Sequence, residues 1–132
     1  MPDFGDLWAG GANKTKSTPL VNSLVLFTGA GVLYGLTGWT GDSGTVYVFI
    51  FDSATVPANI NPMVAGTPWP DDCIQVAAPG TFSISIPPTG RYYKNGCTVL
   101  VSSTAPPVLT IATTSKAMFT GLWAPQFGGG QP

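Results

Sequence analysis

TVYVFIFD, residues 45–52, decides the fold: Val46, Val48 and Ile50 alternate with Tyr47, Phe49 and Phe51, so the period is two and both faces are apolar. A strand of that kind lies centrally, with one face in the core and the other covered as well. The cover for the second face is either a subunit interface or the long segment that follows. Phe49 and Phe51 are therefore candidate protein contacts.

Working outward, the chain from Leu20 to Ala124 breaks into short β-rich runs punctuated by Gly, Pro, Asp and Ser at roughly ten-residue intervals. LVNSLVLF at 20–27 is the first run, and GVLYGLTGW at 31–39 the second, with Val32, Tyr34 and Leu36 on one face. TGDSG at 40–44 has the chemistry of a tight reversal into 45–52. CIQVA at 73–77 and TFSISI at 81–86 read as a hairpin about the turn APG. TFSISI alternates most regularly, with Phe82, Ile84 and Ile86 inward and Thr81, Ser83 and Ser85 outward. CTVLVSS at 97–103, VLTIATT at 108–114 and AMFTGLWA at 117–124 complete a count of about eight strands. The expectation is an all-β fold: a single antiparallel β-sandwich or jelly-roll-like barrel over residues 19–124, with an extended N-terminal arm at 1–18 and a flexible Gly/Pro-rich tail at 125–132.

Two segments stand outside the strand pattern. The arm carries Phe4, Leu7 and Trp8 as isolated apolar points, which are costly to leave wet and are candidate contacts with a partner. Residues 53–72, with prolines at 57, 62, 68 and 70, cannot form a central strand or a helix. A loop of that length is usually functional or ordered by a partner, which adds Met63 and Trp69 to the candidates.

Charged residues are only 8% of the 132, with no Glu and no His. A surface so poor in charge favours association with other copies or with a larger assembly. Five scattered cations, Lys14, Lys16, Arg91, Lys94 and Lys116, cannot build the basic stripe that nucleic acid requires. No run reaches the ~20 apolar residues of a membrane helix, and MPDFGDLWAG lacks the basic and apolar regions of a secretory signal. The expected partners thus include neither nucleic acid nor membrane.

Without histidine no Ser-His-Asp or Cys-His arrangement can form. The aspartates fall in turns or termini, where Asp bonds to backbone; a carboxylate pair of Asp52 with Asp71 or Asp72 is conceivable, but no spacing selects it. Asp71 and Asp72 lack the alternating loop of a calcium site, and Cys73 and Cys97, with 23 residues between them and no nearby histidine, do not make a zinc site. The cysteines are expected as buried free thiols, although a cross-strand disulfide is geometrically open. No enzyme activity, metal or cofactor is expected. RYYKNG at 91–96 could, with Trp69, place Tyr92 and Tyr93 in a stacking platform for sugars, the rival expectation of a ligand-binding or adhesin-like module.

LVLFTGAGVLYGLTGWTGDSGTVYVFIFDSATVPAN, TFSISIPPTGRYYKNGCTVLVSS and TIATTSKAMFTGLWA together resemble small β-rich virion proteins of tailed phages that coat the head. The resemblance spans roughly residues 20–124 and rests on strand, turn and spacing. It implies a capsid decoration or cement protein made in the host cytoplasm, located on the capsid exterior and bound to the major capsid protein. It also implies a small homo-oligomer, a trimer in the first instance. A tail or neck component of the same virion would share these features.

Overall fold

The computed structural model describes residues 13–125, which form seven antiparallel strands and, among the described residues, no helix. The strands are β1 (Asn13–Lys16), β2 (Ser23–Thr28), β3 (Gly31–Phe51), β4 (Asp72–Ile84), β5 (Arg91–Tyr93), β6 (Gly96–Ser102) and β7 (Ala117–Pro125). All belong to one sheet, ordered β1-β7-β3-β6-β2, with β4 and β5 on the other side of β3. The all-β antiparallel expectation holds, and the architecture is a single sheet curled into a half-barrel.

The organising element is β3, one strand of 21 residues where the sequence suggested two. TGDSG does not reverse the chain. It forms a bulge in which β3 advances from Thr40 to Gly44 while β4 moves only from Gly80 to Ala78. Thr40 Oγ1 donates to Asp42 Oδ2 (2.6 Å) and accepts from the Asp42 amide (3.3 Å), so the polar side chains that suggested a turn satisfy the bulge instead. APG likewise continues β4, a strand of 13 residues that runs along β3 on both sides of that bulge.

A second irregularity, between Leu33 and Gly35, shifts the side-chain phase. Leu33 and Leu36 are core residues while Tyr34 is exposed, so the expected face of Val32, Tyr34 and Leu36 is split. VLTIATT is not a strand: Leu109 and Ile111 make only isolated bridges, to Ile60 and Ser102. RYY, read as loop, is β5, paired with the first residues of β3. Asn13–Lys16, assigned to the arm, pairs with β7 as β1; arm residues 1–12, with Phe4, Leu7 and Trp8, and tail residues 126–132 lie outside the described residues.

The concave face of the sheet encloses the main core, which includes Leu26, Phe27, Leu33, Leu36, Val48, Ile50, Phe82, Val99, Val101 and Phe119. Phe27 stacks on Trp123 (centroids 4.8 Å apart) and meets Tyr93 edge-on (6.2 Å). Trp123 Nε1 donates to Thr15 Oγ1 (2.9 Å), which in turn donates to the Leu26 carbonyl (2.9 Å), fastening β1 over the core edge. Gly38 lies between Phe82 and Phe119, which meet edge-on at 5.8 Å. A Cβ there would come 2.4 Å from the Phe82 ring and 2.3 Å from the Met118 carbonyl oxygen, so only glycine fits.

β3 curls so far that its ends meet. Arg91 on β5 pairs with Leu33, and Asp72 on β4 pairs with Ile50; a flat strand would hold those two β3 positions roughly 55 Å apart. Yet Arg91 Nη1 is 3.0 Å from Asp72 Oδ2 and 3.3 Å from Asp71 Oδ2. The Tyr93 hydroxyl donates to Asp71 Oδ2 (2.9 Å), and Asp52 accepts from the amides of Lys94 (3.2 Å) and Asn95 (2.8 Å). These residues form a polar clasp across the gap.

Candidate interaction surface

The outer face of β3 differs between its halves. Over the second half, Phe49 and Phe51 pair with Leu100 and Thr98 of β6 and are fully covered from outside by Met63 and Leu109, with Ile60 and Ile111 at the margin. The cover is two loops zipped together: Ile60 and Leu109 exchange backbone hydrogen bonds (3.0 and 2.8 Å), and the Met63 amide donates to the Pro107 carbonyl (2.6 Å). Asn59 Oδ1 accepts from the Ile111 amide (2.9 Å). With both faces covered, every residue of β6 is buried. Its hydroxyls are satisfied within the chain, Thr98 donating to Ser53 O (2.8 Å) and Ser102 to Thr104 O (2.8 Å).

Phe49, Phe51 and Met63 therefore leave the set of contact candidates: of the two covers that the sequence left open, the following segment supplies one, and these side chains pack against each other inside the chain. Trp69 remains, at 60% exposure. The stacking platform is also corrected. Tyr92 is exposed and pairs with Val32, whereas the neighbouring Tyr93 is buried on the opposite face with its hydroxyl on Asp71, so the two rings share no surface.

Over the first half of β3 no loop among the described residues covers the outer face. Register places Ser83, Thr37 and Thr120 in one row across β4, β3 and β7, and Thr81, Trp39 and Met118 in the next. Together with Gly38 and Phe82 they line an open depression of about 550 Å3. The Trp39 ring lies over Gly41, where a Cβ would come within 2.5 Å of it. Met118 is 49% exposed, and Tyr34 and Leu122 extend the same face toward Tyr92. No lining residue of the depression is charged; the nearest cations by register are Lys16, opposite Thr120, and Lys14, opposite Leu122. Pattern reading missed this surface because Trp39 and Met118 are 79 positions apart in sequence and each looks like an ordinary strand residue.

Several ionisable groups among the described residues are occupied structurally. Asp52, Asp71 and Asp72, the three carboxylates from which a pair was conceivable, all serve the clasp. The Asp72 hydrogen bond raises the Arg91 pKa further, and burial raises that of Tyr93. Cys73 and Cys97 are free thiols on opposite faces of the sheet, Cys73 beside Phe49 and Cys97 in the concave core. Burial pushes Cys73 up to about 11 and Cys97 up to about 12. No group of metal-ligating side chains is assembled among the described residues, and no helix there is long and apolar enough to cross a membrane.

No family model matches the chain, and no curated protein or solved structure matches it either.

Proposed function

We propose that the chain is a structural protein that decorates or cements a phage capsid, docking the uncovered outer face of β4, β3 and β7 on the major capsid protein. One observation carries the docking part: a contiguous face with Trp39, Met118 and Leu122 among hydroxyls, without a charged residue in its depression, on a strand whose other half is carefully covered. Exposed apolar area of that sort on a small domain is characteristic of a protein-binding surface. Hydroxyls without carboxylates or amides suit packing against protein better than gripping a sugar. The capsid as the partner comes from the resemblance of the strand and turn pattern to head-coating virion proteins, and the scarcity of charge across the chain agrees with life inside an assembly.

The test is co-sedimentation with undecorated shells assembled from a tailed-phage major capsid protein. Saturable, stoichiometric binding is expected. Met118→Lys with Thr37→Lys should weaken it about tenfold or more while the circular dichroism spectrum is kept, since both side chains are exposed. Absence of binding, or binding indifferent to both substitutions, overturns the reading.

A further inference from the structure

The long strand β4 is hydrogen-bonded to β3 and, among the described residues, to no other strand. Apart from its ladder with β3, no hydrogen bond among the described residues engages the backbone of residues 74–84, so the far edge presents unpaired amides and carbonyls along the rim of the half-barrel. An open edge is a template for another strand unless charge, proline or a covering segment blunts it. Here Pro79 interrupts the edge at its middle, and Pro87 and Pro88 end it, which leaves TFSISI, 81–86, between the two blocks. There is no charged residue anywhere from Cys73 to Gly90.

We infer that the Thr81–Ile86 edge pairs antiparallel with the same edge of a second copy, making a two-fold dimer whose sheet runs continuously across the seam. An antiparallel pair of identical strands is isologous, so each contact is made twice and the assembly closes at two. Centred on Ser83, the pairing sets Thr81 opposite Ser85 on the outer face and Phe82 opposite Ile84 on the inner one. Hydroxyls then meet hydroxyls and apolar side chains meet apolar ones, in the alternation already imposed by β3, where Ser83 opposes Thr37 and Ile84 opposes Leu36. An uncharged partner edge of matching alternation is what this strand selects, and a second copy supplies it. Because Thr81 and Ser83 also line the outer depression, the dimer sets two such depressions side by side in one surface. The two-fold pairing replaces the trimer expected from the resemblance, and it stands whether or not a capsid is the partner.

The experiment is sedimentation of the full chain over a concentration series, with T81K/S83K/S85K and S83C beside it. The wild type should be a dimer. The three lysines, all at exposed positions, put like charges opposite one another three times across the seam and should weaken dimerisation more than about tenfold while leaving the thermal midpoint of the monomer near that of the wild type. The Ser83→Cys protein should form a disulfide-linked dimer on mild oxidation, through residue 83 by peptide mapping. A monomeric wild type at high concentration, a dimer untouched by the lysines, or a crosslink that forms through Cys73 instead overturns the inference.

Discussion

The two halves of β3 share one backbone, one set of concave neighbours and similar composition, yet their outer faces differ. From Thr45 to Phe51 the outer side chains are Tyr47, Phe49 and Phe51, and the chain invests two loops in hiding them. From Gly35 to Thr40 the outer side chains are Thr37 and Trp39, flanked by Met118 and Leu122, and none of the described residues is laid over them. The contrast separates two uses of apolar surface. Where aromatic rings are large and adjacent, burial within the chain stabilises the fold; where one indole and one thioether sit among hydroxyls, the surface tolerates water, and it is the face we propose for a partner.

The largest effect is expected in the covered half. Phe49→Asp places a carboxylate in a dry cluster without a partner and should leave the protein largely unfolded, and Phe49→Ala should cost about 3–5 kcal/mol in urea titration. Thr37→Asp, on the same strand in the uncovered half, should shift stability by no more than about 0.5 kcal/mol. Equal costs at the two sites would erase the distinction.

Gly38→Ala comes next. The added methyl must displace Phe82 or the β7 backbone, and the expected loss is about 1–3 kcal/mol. Urea titration checks the loss, and because Gly38 and Phe82 also line the outer depression, capsid binding per folded molecule should weaken with it.

A smaller effect is expected with pH. The raised Cys73 and Cys97 values mean that the folded chain keeps protons that the unfolded chain releases above the ordinary thiol value of 9.0. Their contribution to stability is therefore complete below about pH 9 and is lost progressively as pH rises through the folded values toward 12. Urea midpoints measured at rising pH should fall in that window, and Cys97→Ala should flatten the decline. Tyr93→Phe, which removes the hydroxyl from Asp71, should cost about 1 kcal/mol and loosen the clasp without touching the outer face.

Much of the architecture was legible in the residues. TFSISI alternates as expected, and the need to cover a second face of 45–52 followed from Phe49 and Phe51 alone. The continuity of β3 was not legible, because Thr, Gly, Asp and Ser serve a reversal and a bulge equally well, and only pairing with β4 on both sides of the bulge separates them. Tyr34 was misplaced for a related reason: one inserted residue inverts the alternation that follows. The clasp depends on the curl of a whole strand, which brings Arg91 to aspartates about twenty positions earlier in the chain, and no local pattern encodes that approach. The uncovered face is defined by what the loops omit, so its residues carried no mark of their own.

Hydroxyl-radical footprinting of the chain, free and bound to the capsid shell, tests the central claim most directly, since it reads side chains one by one. Met118, Trp39 and Leu122 should lose reactivity on binding, while Trp69 and Tyr92 stay close to their free values. Unchanged reactivity of Met118 and Trp39, with protection confined to Trp69 and the loop around it, would contradict the account and move the interface to the cover over the second half of β3.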